Sequence, residues 1–339
     1  MKFFKFILYA LVILFFLYIL LVYFPEFASK PIEIPLKKTK KPDIEPVPQE
    51  QPEHAKKQPM KLSGHKMVSY RFADENSRRY EFIYYIPQSQ INDSQKNFGY
   101  SRREIYELLS QHIRQYNEKY KEGFHAHLNQ NLSLRVTYDK EFLDVYNTFM
   151  REHEQKILDY CRKRYIHVTF KKGGRVLSVD FPAVQLWQSE YVRPLYQKLR
   201  RMADEFQLDS RQFTILLAKF VQYLRYKIPP PLPDFENFGF WPPVICLSEK
   251  AGDCDSKSTL FATIYYHYRK NSCILIRTEN HAFIGIKSQH KIYPRDNIMR
   301  FGGMDYFLIE TTSLHNLGYI PSALRSRLKN GPLDYVVFH

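Results

Sequence analysis

The chain has 339 residues, of which 44% are hydrophobic and 16% aromatic, so it can bury a core and form two globular lobes. Its net charge of +15 favours anionic partners, but the basic residues are scattered and form no nucleic-acid-binding module, so no nucleic-acid partner is expected. Four cysteines without CxxC spacing exclude a disulfide-dense scaffold and a cysteine zinc site, and no metal is predicted.

Residues 6–24 form an apolar run of nineteen uncharged residues, about the length that crosses a bilayer as a helix. No small-residue cleavage site follows, so residues 1–24 are predicted to be a retained single-pass anchor rather than a cleaved signal. Lysines lie on both sides of the run. A count of the positively charged residues on each side would place the body in the cytoplasm. Long domains, however, translocate largely regardless of charge. We expect an extracytoplasmic, periplasmic body and leave the topology open.

Residues 25–66 are rich in Pro, Lys, Glu and Gln, and they contain almost no aromatic residue after Phe27. Such a segment cannot bury enough apolar surface to fold. It is predicted to be a disordered linker that holds the body away from the bilayer.

Residues 67–184 are predicted to form an α+β accessory lobe. Alternating apolar residues over 68–72 and 80–86 predict paired strands. Helical stripes follow at 105–116 and 142–158, and a Gly-Gly turn then predicts a hairpin. His125 and His127 lack neighbouring Cys, Asp or Glu at ligand spacing. They are predicted to lie in a surface loop rather than to bind metal.

Residues 185–339 are predicted to form the second domain. Apolar residues from Leu195 to Phe206 share one helix face, and Asp209 or Ser210 is expected to cap the next helix. A loop rich in Pro and aromatic residues then leads to the segment AGDCDSKS. This segment opens a further apolar helical run.

Cys254 lies at the start of that run. Unpaired backbone N–H groups and the positive end of the helix dipole favour a thiolate there. Cys254 is therefore predicted to be a nucleophile, with an inert core thiol as the alternative. The flanking Asp253 and Asp255 oppose activation, and they are expected either to act as turn and cap groups or to mark a less activated thiol.

A thiol needs a neighbouring base, and the base needs an orienting acid. His281 heads the apolar strand HAFIGI, 27 residues after Cys254, and Glu310 ends the strand YFLIE. A nucleophile at a helix start that faces a base and an acid on adjacent strands is the arrangement used in thiol acyl transfer. The alternatives are a buried core histidine for His281 and a structural hydrogen-bond acceptor for Glu310.

Four motifs in order resemble the transglutaminase-like superfamily, in particular its bacterial cysteine-protease-like branch. They are GDCDSKS, the upstream FVQYLRY, HAFIGI, and YFLIETT followed by LGYIP, and together they cover residues 191–319. The resemblance implies a papain-like core in which a helix carrying the cysteine packs on an antiparallel sheet carrying the histidine and the acid. It matches Cys254 to the nucleophile, His281 to the general base and acid, and Glu310 to the residue that orients the imidazole.

The third member departs from the family pattern, which more often has aspartate within a D-P-T sequence where this chain has Glu310, Thr311 and Thr312. Asp296 resembles the more usual spacing and is the alternative acid. We prefer Glu310 because it follows a predicted strand. Gln222 in FVQYLRY is a possible oxyanion donor, although a packing role under the loop and the N–H of Cys254 compete with it.

The predicted function is that of a membrane-anchored cysteine peptidase or amidase that acts on a protein or peptide substrate through a thioester, without a cofactor. One alternative is a protein-crosslinking transamidase with the same triad. Another is a non-catalytic module that binds peptide or cell-wall material on the same fold. The sequence does not indicate an oligomeric state.

Overall fold

The computed structural model describes residues 63–171, 174–231, 235–288, 297–330 and 333–339. Over these ranges the chain is an α+β protein with eight α-helices and fifteen strands. The helices are α1 (Gln88–Asn97), α2 (Arg102–Lys119), α3 (Leu143–Lys163), α4 (Phe181–Glu205), α5 (Ser210–Gln222), α6 (Pro243–Glu249), α7 (Cys254–Tyr266) and α8 (Ser322–Asn330). The strands are β1 (His65–Ala73), β2 (Arg79–Pro87), β3 (Tyr100–Ser101), β4 (Phe124–Leu128), β5 (Leu134–Tyr138), β6 (Ile166–Lys171), β7 (Gly174–Val179), β8 (Arg225–Tyr226), β9 (Phe235–Glu236), β10 (Ala251–Gly252), β11 (Cys273–Arg277), β12 (Ala282–Lys287), β13 (Ile298–Phe301), β14 (Met304–Ile309) and β15 (Asp334–Val337).

The largest sheet of the described residues has five strands in the order β13-β14-β12-β11-β15, and all neighbours are antiparallel. Its central strand β12 pairs with β14 so that Ile284 lies opposite Ile309. This register brings the start of β12 and the end of β14 to the same end of the sheet. His281 directly precedes β12 and Glu310 directly follows β14, so both residues lie at that end.

Both faces of this sheet are covered, because alternate residues of its strands belong to two different apolar clusters. Ile274 and Phe283 pack with Leu324 of α8. Leu275 and Ile284 belong to the larger cluster, which includes the apolar residues of α7. Helix α7 packs directly against β11 and β12.

Helix α7 is buried on almost every side, since residues 256–265 are all buried. It packs against α4, α5 and α6 as well as the sheet. Leu260, Phe261 and Ile264 are fully buried, and each such side chain contributes about 1.5–3 kcal/mol. The hydroxyls of Thr259 and Thr263 donate to carbonyls four residues earlier, so their polar groups are satisfied within the helix. Helix α7 is therefore a central core element rather than a surface helix.

The predicted paired strands are confirmed as the antiparallel hairpin β1–β2, in which Tyr70 lies opposite Phe82. Both rings contact Phe220 of α5, at centroid distances of 5.1 and 6.0 Å. The Tyr70 hydroxyl donates to the Leu247 carbonyl at 2.7 Å. The hairpin consequently belongs to the same apolar core as α7.

The described residues divide into two compact units. One contains residues 102–160 and 168–176 and is organised around the fully buried Phe149 of α3. The other contains residues 63–101, 161–167 and 177–339, apart from the gaps given above. The predicted 67–184 lobe coincides with neither unit, because hairpin β1–β2 and α1 pack into the core that contains Cys254.

Several predictions concern the N-terminal part of the chain. The predicted anchor, 1–24, lies outside the described residues, as does the predicted linker 25–66 up to residue 62. Strand β1 begins at His65, before the predicted domain start at residue 67. Among the described residues, no helix has the length and apolar character needed to cross a membrane.

The loop prediction for His125 and His127 is wrong. Both histidines occupy exposed positions of β4, and Phe124, Ala126 and Leu128 between them are buried. The segment FHAHL has the period-2 alternation of a half-buried strand once histidine is counted as a polar residue.

Candidate active site

Helix α7 begins at a buried aspartate cap. Asp253 has extended backbone, and its Oδ1 accepts hydrogen bonds from the Ser256 backbone N–H at 3.0 Å and the Ser256 hydroxyl at 2.6 Å. An aspartate in this position stabilises a helix by about 1 kcal/mol. One of the two acids that flank Cys254 is therefore committed to the helix start.

Cys254 is the first residue of α7 and is 2% exposed. Its Sγ lies 3.9 Å from Asp255 Oδ1, at the long limit for a contact to sulfur. Cys161, Cys246 and Cys273 are also buried, and none of them forms a disulfide. Burial raises the pKa of Cys246 and of Cys273 above that of an ordinary thiol, as expected for structural cysteines. Among the four cysteines, Cys254 is the one at the start of α7, the helix that packs on β12, the strand next to His281.

His281 and Glu310 form a buried hydrogen-bonded pair. Nε2 of His281 lies 2.7 Å from Oε2 of Glu310, and the two side chains are 5% and 1% exposed. The imidazole packs edge-on against Phe283, with a centroid distance of 4.6 Å. The His281 carbonyl accepts the Thr278 N–H at 2.8 Å. Backbone and side-chain contacts together fix the orientation of the ring.

Both oxygens of the Glu310 carboxylate are engaged. Oε1 accepts the backbone N–H of Thr312 at 2.7 Å and the hydroxyl of Thr312 at 2.5 Å. Burial raises the pKa of Glu310, but the His281 ring and the Thr312 hydrogen bonds outweigh burial and hold the pKa below its usual value. An ionised carboxylate can only accept, so Nε2 of His281 carries the hydrogen and Nδ1 is the basic nitrogen.

The same face of α7 carries Cys254 and contacts the turn after β14. Ser258 lies one helical turn from Cys254, and its Oγ is 2.9 Å from Oγ1 of Thr311, which directly follows Glu310. Residues four apart share a helix face, so Cys254 lies on the face turned toward this end of the sheet. Ala282, next to His281, belongs to the same apolar cluster as Cys254. The structure thus brings Cys254, His281 and Glu310 into one region.

Gln222 also lies in this region and holds the backbone of Glu310. It is buried, and its Nε2 donates to the Glu310 carbonyl at 2.7 Å. Its Oε1 has no hydrogen-bond partner among the described residues. The side-chain NH₂ of Gln222 has two hydrogens, and one of them is donated to the Glu310 carbonyl. An oxyanion would have to accept the second.

Lys257 is a charged residue of this region that was not predicted from the sequence. It is fully buried within α7. Its Nζ donates to three backbone carbonyls, those of Gln222 at 3.2 Å, Leu224 at 2.7 Å and Thr312 at 3.1 Å. Three acceptors match the three hydrogens of an ammonium group. A single lysine in the otherwise uncharged run that follows Asp255 was the available sequence signal.

Burial lowers the pKa of Lys257 to about 7. The carboxylate of Glu310 and the thiols of Cys246 and Cys254 act in the opposite direction. Lys257 therefore interacts electrostatically with two of the predicted triad members.

The remaining predicted acid, Asp296, lies outside the described residues. Asp253, Cys254 and Asp255 have potential metal-ligand atoms within 4.8 Å of one another. Asp253, however, is used as the helix cap, which leaves fewer ligands than a zinc site requires. We assign no metal to this cluster.

Comparison with known proteins adds no relative. No protein-family model, no curated protein and no solved structure matches this chain. The transglutaminase-like resemblance therefore remains a prediction from the motifs.

Proposed function

We propose that the chain is a cysteine-dependent acyl-transfer enzyme of the transglutaminase-like type, a peptidase or amidase that uses Cys254, His281 and Glu310 as its triad. The observation that carries this proposal is the buried 2.7 Å contact between His281 and Glu310, at the end of the sheet faced by the first turn of α7. A thiol-bearing helix packed on an antiparallel sheet also supports a papain-like core. The proposed enzyme is anchored by residues 1–24, has an extracytoplasmic body and acts on a protein or peptide.

In the first half-reaction, Nδ1 of His281 takes the proton from Sγ of Cys254, and the thiolate attacks the carbonyl carbon of an amide. The C–S bond forms as the carbonyl π electrons move onto oxygen, and the backbone N–H of Cys254 at the helix start donates to that oxyanion. Collapse breaks the C–N bond. The imidazolium gives its proton to the leaving amine, and a thioester remains on Cys254.

In the second half-reaction, His281 takes a proton from water as the water oxygen attacks the thioester carbonyl. The C–S bond breaks, the products are a carboxylic acid and the thiolate, and the imidazolium returns the proton to sulfur. An amine in place of water gives a new amide, which is the crosslinking alternative. We propose hydrolysis because water requires no acceptor site.

Glu310 orients the imidazole and stabilises the imidazolium in both steps. The side chain is 1% exposed, so water does little to screen the attraction between its carboxylate and His281. The hydrogen bonds from Thr312 keep the carboxylate ionised and correctly turned.

The test is labelling of the full-length protein with iodoacetamide at pH 7, with peptide mass spectrometry as the readout. We expect Cys254 to be labelled in wild type and at least ~10-fold more slowly in His281→Ala. His267→Ala is the matched control, since His267 is a partly buried histidine whose Nε2 contacts the Ser189 carbonyl at 2.8 Å and not Glu310. In His267→Ala, Cys254 should be labelled at the same rate as in wild type.

Equal labelling of Cys254 in wild type and His281→Ala would favour the non-catalytic binding module. A protein that passes this test can then be given a peptide mixture with and without an added alkyl amine. Carboxylic acid products indicate hydrolysis, and amine-containing products indicate transamidation.

A further inference from the structure

Lys257 forms hydrogen bonds with Gln222 and Thr312, the two residues that hold Glu310. Two of its three carbonyl partners belong to Gln222 and Thr312. Gln222 donates to the backbone carbonyl of Glu310, and Thr312 donates to its carboxylate. Since Glu310 in turn bonds His281, Lys257 is linked to the imidazole through two residues, Gln222 and Thr312, that each hydrogen-bond both Lys257 and Glu310.

Lys257 also shares helix α7 with the cysteine of the proposed triad. It follows Cys254 by three residues on α7, and residues at this spacing are neighbours on a helix surface. Its electrostatic partners are Glu310, Cys246 and Cys254, which are all acidic groups. Water does not reach the fully buried ammonium, so these attractions are weakly screened.

A buried lysine destabilises the fold relative to an apolar side chain unless its charge is compensated or has a function. Removing an ammonium group from water costs several kcal/mol, and an apolar side chain of similar volume often serves a buried position equally well or better. The three carbonyls offset that cost only because Gln222, Leu224 and Thr312 all converge on one point. The arrangement therefore calls for a role for the charge itself.

We infer that Lys257 is the positioning residue of the proposed active site. Its ammonium fixes the Gln222 and Thr312 backbones, through them holds Glu310 against His281, and its charge favours the thiolate of Cys254. This inference rests on the proposed function. A purely structural lysine would stabilise the fold and leave the ionisation of Cys254 unchanged.

The test uses the full-length protein and the ratio of the Cys254 alkylation rates at pH 6 and pH 9. This ratio cancels the effect of burial on access, and for an ordinary cysteine it is about 1/200. We expect a ratio well above this value in wild type and a ratio at least ~5-fold lower in Lys257→Met. Lys219→Met is the matched control, because Lys219 is also buried and its Nζ bonds a carbonyl, that of His315 at 2.7 Å.

A reciprocal measurement avoids any substitution at Lys257. Because coupling between two charges acts equally on both, Cys254→Ser should lower the pKa of Lys257, measured by NMR of ¹⁵N-labelled lysine. An unchanged Lys257 pKa in Cys254→Ser, or an unchanged rate ratio in Lys257→Met, overturns the inference while the enzyme proposal stands. A wild-type ratio near 1/200 overturns the proposed function itself, and the inference with it.

Discussion

Replacing Glu310 by glutamine tests the member of the proposed triad that depends most on burial. The substitution keeps the size of the side chain and removes the charge that faces His281 at 2.7 Å. A charge-assisted hydrogen bond of this kind contributes about 1.5–3 kcal/mol, which corresponds to about a 10–150-fold change in rate. The glutamine amide can also donate to Nε2 and place the imidazole hydrogen on Nδ1, the nitrogen that must accept the thiol proton.

The assay is the second-order rate constant for iodoacetamide alkylation of Cys254 at pH 7, with thermal unfolding measured in parallel. We expect this rate constant to be about 10–150-fold lower in Glu310→Gln than in wild type. Asp296→Asn is the matched control, since Asp296 is the alternative acid, and it should react like wild type. Slow alkylation of Cys254 in Asp296→Asn, together with a wild-type rate in Glu310→Gln, would refute the assignment of Glu310.

Three further predictions concern the start of α7 and the unit that contains residues 102–160. Asp253→Ala removes the acceptor of both Ser256 hydrogen bonds and should cost about 1–2 kcal/mol; calorimetry should show a lower Tm than in Asp255→Ala, and equal values would contradict the capping role. In Gly252→Ala the new Cβ would lie 3.1 Å from both Cys246 Sγ and Ser256 Cβ, so a neighbour has to give by a few tenths of an ångström. We expect Ser256, in the first turn of α7, to give and Cys254 labelling to slow; an unchanged rate would show that this turn keeps its position. Burial, followed by the charges of His112 and Arg175, lowers the pKa of His153 to about 4. The unfolded chain therefore binds more protons between pH 6.5 and 4, and stability is lost as pH falls through that window, by at most about 3 kcal/mol. Urea unfolding at pH 7 and pH 4.5 should show a smaller loss in His153→Leu, and an equal loss would count against a role for this histidine.

Features encoded in a few consecutive residues could be predicted from the sequence. The apolar run HAFIGI corresponds to β12, and the alternating residues of β1 and β2 form the expected hairpin. Asp209 was expected as a cap, and it forms a capping box with Gln212 at the start of α5. Periodicity and capping chemistry are local properties, so they can be read without knowledge of the tertiary contacts.

Features that depend on distant residues could not be predicted. Lys257 bonds carbonyls that lie 33, 35 and 55 positions away along the chain, and no local pattern shows that they converge. Helix α4 begins at Phe181, before the apolar stripe that predicted it from Leu195. The earlier turns are stabilised by the Asp180 cap and by tertiary burial of residues such as Val184, and Pro194 inside the helix masks their continuity in the sequence.

Activation of Cys254 by His281 is the proposed step on which the enzyme depends, and the ratio of alkylation rates at pH 6 and pH 9 measures that activation. The measurement compares full-length wild type with His281→Ala. We expect a ratio above about 1/10 for wild type and one near the ordinary-cysteine value of about 1/200 for His281→Ala. A wild-type ratio near 1/200, or the same ratio in both proteins, would show that His281 does not activate Cys254.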